Sequence, residues 1–241
     1  MTGAIFSMAV NIGIALLFAG SFAALATVFR AQRQALWFAL AFAVGALTPL
    51  SEMLVRLTDH PQIFSAASYA TSLAAMLLIG FAFARFRGVP AGPAVPLAIF
   101  GLGILLRAAI WGGERSTMPY ELFYQMPHAV ACAWTVTVML RVPRPSVLDR
   151  VIAIYFVPMT LFFVAKAFLS VAYGSGVSAQ AYAASPYALI SQATSAVMML
   201  GVGLLILLLL VKDVTDRSRS EAETDALTGI ANRRGFDERA E

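Results

Sequence analysis

Apolar residues form seven runs of about 20 residues along the chain, separated by short stretches that contain polar residues, glycine or proline. A helix needs about 20 apolar residues to cross the roughly 30 Å hydrocarbon core of a bilayer. The pattern therefore predicts an all-α membrane protein built as a bundle of about seven transmembrane helices. The predicted spans cover residues 4–29, 35–57, 63–84, 93–113, 119–141, 148–173 and 186–211.

The polarity of the chain changes after residue 211. Residues 212–224 are polar and charged, and we expect them to continue the seventh span as a helical signalling linker in the cytoplasm. Their heptad pattern is weak, because Ser218 and Glu221 occupy positions where a coiled-coil seam needs apolar residues. The pattern thus divides the chain into a membrane domain over 1–211, a linker over 212–224 and a final segment over 225–241.

The composition agrees with a lipid environment. Hydrophobic residues make up 60% of the chain and charged residues 12%, and the mean hydropathy is +0.79. Soluble domains are roughly half apolar and one quarter charged. The single cysteine, Cys132, excludes an intrachain disulfide and a cysteine metal cluster. The composition therefore favours a lipid bilayer as the main partner of the chain.

Basic residues predict the orientation, because Lys and Arg near transmembrane helices accumulate on the cytoplasmic side. Alternate connections carry nearly all of them, and the opposite connections carry only Arg115. The N-terminus is then outside and the segment after Lys212 is cytoplasmic. Because the net charge of +4 is spread in this way, no nucleic-acid partner is expected. The basic residues on the predicted cytoplasmic side are Arg30, Arg33, Arg85, Arg87, Arg141, Arg144, Arg150, Lys212, Arg217 and Arg219.

A specific motif follows the linker. Residues 225–236 read DALTGIANRRGF and match the pattern D-x-L-T-G-[L/I]-x-N-R-R-x-F at every fixed position. This segment closely resembles the opening of GGDEF-type diguanylate cyclase domains. The resemblance implies that 225–241 is the start of an α/β cyclase domain in a multi-pass protein of the bacterial inner membrane. It also implies signal-coupling roles for Asp225, Leu227, Thr228, Asn232, Arg233 and Arg234.

The resemblance further implies what the whole protein would do. Cyclases of this family join two GTP molecules into cyclic di-GMP with Mg²⁺, and they act as dimers, so a homodimer is expected. The family's metal-binding carboxylates and its Gly-Gly-Asp/Glu-Glu-Phe loop are not found in residues 1–241. We therefore read the chain as part of a longer enzyme, with no catalytic residue and no cofactor of its own.

Polar residues within the spans predict a ligand site. Polar groups in lipid are costly and usually face a cavity or the bundle interior, and here they lie in the outer halves of the spans. Pro49, Pro127 and Pro158 interrupt spans near this layer and favour kinks that open a cavity. The candidate ligand-binding residues are Glu52, Arg56, Tyr69, Arg107, Glu121, Tyr124, Gln125, His128 and Lys166.

The sequence leaves two interpretations of this layer open. Glu52 with Arg56, and Glu121 with Arg107 or Lys166, are able to form ion pairs that only fix helix packing. If the layer is instead a pocket, its cations outnumber its carboxylates, which favours a small anionic or amphiphilic ligand.

Other functions fit the sequence less well. A retinal photoreceptor needs a lysine on the seventh span, and 186–211 has none. A haem or metal site lacks ligands, because the second histidine, His60, lies in a predicted outer loop. A small transporter is the main alternative, although no inverted repeat is evident and the inner half of the seventh span is wholly apolar. A membrane anchor that only dimerises a cyclase is a further alternative.

Overall fold

A computed structural model describes residues 3–115 and 117–223 of the protein. These residues form eight α-helices and no strand. The helices are α1 Gly3–Val28, α2 Ala35–Leu57, α3 Pro61–Arg87, α4 Ala94–Ala109, α5 Met118–Leu140, α6 Val147–Tyr173, α7 Ala179–Ala184 and α8 Pro186–Glu223. The segment 225–241, with the six predicted coupling residues, lies outside the described residues.

Five of these helices, α1, α2, α3, α6 and α8, are long and apolar enough to cross a membrane. The prediction of a helical membrane protein is confirmed at this level. The predicted count of seven spans is not reached, for two physical reasons. Helix α4 has only 16 residues because the chain turns at Ile110–Gly113, and α5 is long enough but begins with a polar half that contains Glu121, Gln125 and His128.

The connections between helices lie alternately at two ends of the bundle. At one end, Gln32 between α1 and α2 donates a hydrogen bond of 2.5 Å to Asp213 on α8. We call this end the stalk end, because α8 continues past it to residue 223. At the other end, Ser175 after α6 donates to the backbone oxygen of Arg115 between α4 and α5, at 3.4 Å. We call this the loop end.

A network of hydrogen bonds ties α3 to α6 at the stalk end. Ser146 and Asp149 form a reciprocal capping box that begins α6. The same Asp149 carboxylate accepts hydrogen bonds from Arg87 Nε at 2.7 Å and Arg87 Nη2 at 2.8 Å. Gly88 then ends α3 with a φ of 66°, a left-handed conformation that glycine adopts without steric cost.

Aromatic side chains fill the half of the bundle near the stalk end. Phe18 and Phe22 on α1 pack on Phe42 of α2, with ring centroids 5.2 and 5.5 Å apart. Phe38 of α2 contacts Phe83 of α3 at 5.1 Å. The apolar residues of α8 between Val202 and Leu210 complete this core. This half of the bundle is therefore densely packed.

Helix α8 approaches α1 and α6 closely at two glycines. A Cβ atom added at Gly203 would lie 2.5 Å from the ring of Phe18, and one added at Gly201 would collide with the hydroxyl of Tyr155. That hydroxyl donates a hydrogen bond of 3.2 Å to the backbone oxygen of Met198. Glycine at both positions thus allows α8 to pack tightly against α1 and α6, on the stalk side of its polar residues.

Candidate functional site

A cavity of about 220 Å³ lies between α8 and helices α1, α2, α3, α5 and α6, and it extends from the half of the bundle nearer the loop end to the aromatic core at Phe42 and Val202. Six of the nine predicted ligand-binding residues line it: Glu52, Tyr69, Tyr124, Gln125, His128 and Lys166. The α8 side of the wall runs from Ser191 to Val202, and α2 contributes Thr48 and Pro49. The cavity therefore has one polar part and one apolar part, as small-molecule sites usually do.

Glu52 joins three helices at the polar part of the cavity. Its Oε2 accepts a hydrogen bond of 2.8 Å from Gln192 Nε2 on α8, and its Oε1 accepts one of 3.3 Å from Ser68 on α3. Both carboxylate oxygens therefore have a donor, which offsets the cost of placing this group among helices. The hydrogen bond with Gln192 connects the cavity directly to α8.

Aromatic rings form the wall contributed by α3, α5 and α6. The ring of Tyr69 stands edge-on to Tyr124 at 5.0 Å and to His128 at 4.9 Å. His128 in turn stacks on Phe163 at 5.4 Å, and its Nδ1 lies 3.1 Å from the backbone oxygen of Tyr124. The histidine is thus held by its neighbours as a wall residue. Tyr69 also donates to the backbone oxygen of Gly103 at 3.1 Å, which fixes α3 against α4.

Lys166 is the cation of the cavity wall. Its Nζ lies 5.4 Å from the ring centroid of Phe162 and 5.3 Å from that of Phe163. Within the described ranges it forms no ion pair with a carboxylate, although Glu52 and Glu121 are near enough to interact with it electrostatically. The amine is therefore available to an anionic group.

A small chamber of about 20 Å³ adjoins the cavity at the loop end. We call it the vestibule. It shares Glu52, Ser68, Tyr124, Tyr182 and Gln192 with the cavity. Its own lining adds Val55, Ser65, Arg115 and Ala179. The shared residues make the two chambers neighbouring parts of one site.

Three tyrosine rings hold the guanidinium of Arg115 beside the vestibule. It lies 4.4 Å from the ring centroid of Tyr182, 5.2 Å from that of Tyr124 and 5.7 Å from that of Tyr120. Arg115 is only 6% exposed. Its burial lowers the pKa of the guanidinium, but the tyrosines and Glu121 raise it by more, so the pKa lies above its ordinary value. Burial also raises the pKa of Tyr182, so this tyrosine is neutral.

Three of the predicted ligand-binding residues lie outside the cavity and the vestibule. Arg107 donates to Ser65 at 3.5 Å and lies over the ring of Trp111 at 5.4 Å. Glu121 accepts hydrogen bonds from Gln125 and from Ser175 instead of bordering the open space. Arg56, although it is one helical turn from Glu52, lines neither chamber.

The ion pairs that the sequence allowed are not formed among the described residues. Glu52 bonds to side chains of α3 and α8 instead of Arg56, and Glu121 pairs with neither Arg107 nor Lys166. The interpretation of the polar layer as simple charge pairing is therefore not supported by the geometry.

Two residues of this site, Arg115 and Tyr182, were not among the ligand-binding residues predicted from the sequence. Both belong to connections between the long helices, and Arg115 was interpreted only as an exception to the distribution of basic residues. The isolation of Arg115 was the signal that could have marked it, because the other basic residues of the connections lie on the opposite side in the predicted topology.

The arrangement has the features of a small-molecule binding site. Within residues 3–115 and 117–223, no three His, Cys, Asp or Glu side chains come together. The charged groups that line the two chambers are Glu52, Lys166 and Arg115. This set carries one surplus positive charge.

Comparison of the chain with protein families, with curated proteins and with solved structures finds no significant match.

Proposed function

We propose that this chain is the membrane input region of a bacterial diguanylate cyclase, and that a small anionic or amphiphilic ligand in the cavity controls cyclic di-GMP synthesis. The observation that carries the proposal is the path of α8. One helix lines the cavity with Gln192 and extends without a break to Glu223. Two residues further along the chain, Asp225 begins the segment that resembles the opening of a GGDEF domain.

The path from ligand to output would run through α8. A ligand that competes for Glu52 or Lys166 changes the hydrogen bond between Glu52 and Gln192. This change moves the part of α8 that lies nearer the loop end. The close contacts at Gly201 and Gly203 hold α8 in place at the end of the cavity nearer the stalk end, where Val202 lines it. Small helix shifts and rotations of this kind are common switching movements. The proposed enzyme works as a parallel homodimer in which the two stalks bring the cyclase domains together.

The proposed topology has seven spans in the bacterial inner membrane. Helices α4 and α5 cross together with the five longer ones, because their connections lie at alternate ends of the bundle. The arginine-rich connections lie at the stalk end, which supports a cytoplasmic location for that end and an N-terminus outside. Reporter fusions at Arg144 and at Gly176 should report opposite sides. The same side for both would refute this topology.

The enzymatic part of the proposal is tested with the chain extended through its natural downstream sequence. Membranes that contain this protein should convert GTP and Mg²⁺ into cyclic di-GMP, whereas membranes with residues 1–241 should not. Absence of cyclic di-GMP from the extended protein, with expression verified, would overturn the assignment.

The sensory part is tested by a pair of variants on α8. Gln192→Leu removes the donor to Glu52, and it should change cyclic di-GMP output without lowering the amount of protein in the membrane. Thr194→Val is the matched control, because Thr194 is partly exposed, lines neither chamber, and donates within its own helix, to Ile190. Equal cyclic di-GMP output from the wild type and both variants would contradict the proposed signalling role of α8.

A further inference from the structure

The vestibule and the cavity differ in size and chemistry, and this difference bears on the kind of ligand. The vestibule has about 20 Å³, enough for one water-sized group such as a carboxylate oxygen, and the cavity has about 220 Å³. The cavity is about eleven times as large as the vestibule, so it has room for an apolar chain of several carbons. Its walls beyond the polar residues are mostly methionine, phenylalanine and alanine side chains.

Arg115 is the buried cation beside the vestibule. Its Nε has no hydrogen-bond partner among the described residues, although the side chain is 94% buried. A buried donor without a partner costs about 1–3 kcal/mol and more for a charged group. The rings of Tyr182, Tyr124 and Tyr120 lie 4.4, 5.2 and 5.7 Å from the guanidinium, so its N–H edge is the part that remains for a ligand. An arginine edge is the donor geometry that binds carboxylates through paired hydrogen bonds.

The two carboxylates near Arg115, Glu52 and Glu121, have hydrogen-bond partners of their own. Glu52 accepts its hydrogen bonds from Ser68 and Gln192, and it forms no ion pair with Arg115 among the described residues. Glu121 lines neither chamber and accepts from Gln125 and Ser175. A ligand with a single negative charge would therefore neutralise the surplus positive charge of the lining.

We propose that the site binds a medium-chain monocarboxylate whose acidic group occupies the vestibule at Arg115 and whose chain extends into the cavity toward α8. Arg115 is then the residue that selects for an acid, and Arg107 has no part in binding. The chain of the ligand passes Glu52 and Gln192 and lies against the α8 wall between Ser195 and Val202. Binding thereby places apolar volume directly beside the helix that leads to the stalk.

This inference rests on the proposed function in taking the cavity as a ligand site, and its test does not use cyclase activity. The chain is reconstituted in nanodiscs, and binding of radiolabelled octanoate is measured by scintillation proximity, with empty nanodiscs to subtract partitioning into lipid. Octanol and octyltrimethylammonium, which carry the same chain without the acid, compete against it. Octanoate should bind at least tenfold more tightly than either competitor. Equal binding of the three would overturn the proposal without any variant.

A pair of arginine variants identifies the residue. Arg115→Gln should weaken octanoate binding by about 10- to 100-fold, the loss expected for a charge-assisted hydrogen bond, and should leave octanol binding unchanged. Arg107→Gln is the matched control, because Arg107 also has buried N–H groups without a hydrogen-bond partner among the described residues but lines neither chamber; this variant should bind octanoate like the wild type. The proposal fails if Arg115→Gln retains wild-type affinity for octanoate, or if Arg107→Gln loses it instead.

The two proposals fail separately. Cyclic di-GMP synthesis by an extended protein that does not bind octanoate rejects only the ligand class. Selective octanoate binding by a protein without cyclase activity rejects only the enzymatic assignment.

Discussion

Replacement of Asp149 with alanine should strongly destabilise the bundle. The carboxylate is buried, with 1% of the side chain exposed, and it accepts hydrogen bonds from both Arg87 and Ser146. It therefore serves two purposes: it neutralises an arginine at the end of α3 and completes the capping box that begins α6. Alanine removes both interactions and leaves the guanidinium without its carboxylate.

The expected magnitude follows from these contacts. Removal of one partner of a buried ion pair costs about 3–5 kcal/mol, and loss of a helix cap costs about 1 kcal/mol. Because the side chain of Arg87 is 20% exposed, its charge can reach water after the substitution, which favours the lower end of that range. The two costs share one carboxylate and are not additive. We expect a loss of about 3–4 kcal/mol in the free energy of unfolding.

The assay is reversible unfolding in mixed micelles, with helix content followed by circular dichroism as the fraction of denaturing detergent increases. Asp216→Ala is the control, because Asp216 pairs with Lys212 on the exposed stalk and such pairs contribute about 0.3–0.5 kcal/mol. Asp149→Asn should fall between the two variants, since the amide oxygen still accepts from Ser146. A loss below about 1 kcal/mol for Asp149→Ala would refute the reasoning, because it would mean that the network contributes no more than a surface pair.

Two further predictions concern packing and the stalk. Gly103→Ala should destabilise the protein by about 1–3 kcal/mol, because its Cβ would collide with a leucine of α3 and lie 3.1 Å from the hydroxyl of Tyr69; Gly101→Ala, with no atom within 4 Å, should be neutral or stabilising in the same unfolding assay. Gln32→Ala should remove about 1 kcal/mol and broaden the distances between spin labels on the α1–α2 connection and on the stalk, because it removes a hydrogen bond to α8. The exposed Gln34→Ala should leave that distribution unchanged, and an identical broadening in both variants would contradict the role of Gln32.

Much of the helical architecture could be predicted from the sequence, because lipid imposes a fixed length on apolar segments. The predicted second span, 35–57, coincides with α2, and the sixth differs from α6 by one residue at its start. The prediction for the fourth was wrong at its end: α4 stops at Ala109, four residues early. Mean hydropathy does not register the turn at Gly112 and Gly113, where the chain needs a φ of 74°.

The site was predicted less completely, because a sequence gives the depth of a polar residue but not the neighbours that surround it. Arg107 and Lys166 were both predicted as ligand-binding residues, yet Lys166 lines the cavity and Arg107 lies over Trp111. Likewise, helical spacing suggested that Glu52 would pair with Arg56, four residues away. Its actual partners come from two other helices, at distances of 16 and 140 residues along the chain.

The continuity of α8 has a geometric consequence for any domain attached to it. The helix has 38 residues and is about 57 Å long at 1.5 Å per residue. Each residue inserted into a helix rotates everything beyond it by about 100° and advances it by 1.5 Å. A single alanine inserted after Asp216 would therefore turn a domain attached beyond it by about 100° relative to the membrane helices. Seven inserted residues would return it to within about 20° of the original direction. A domain attached to α8 would therefore keep its orientation only at junctions that preserve the helical phase, whatever the length of helix between it and the bundle.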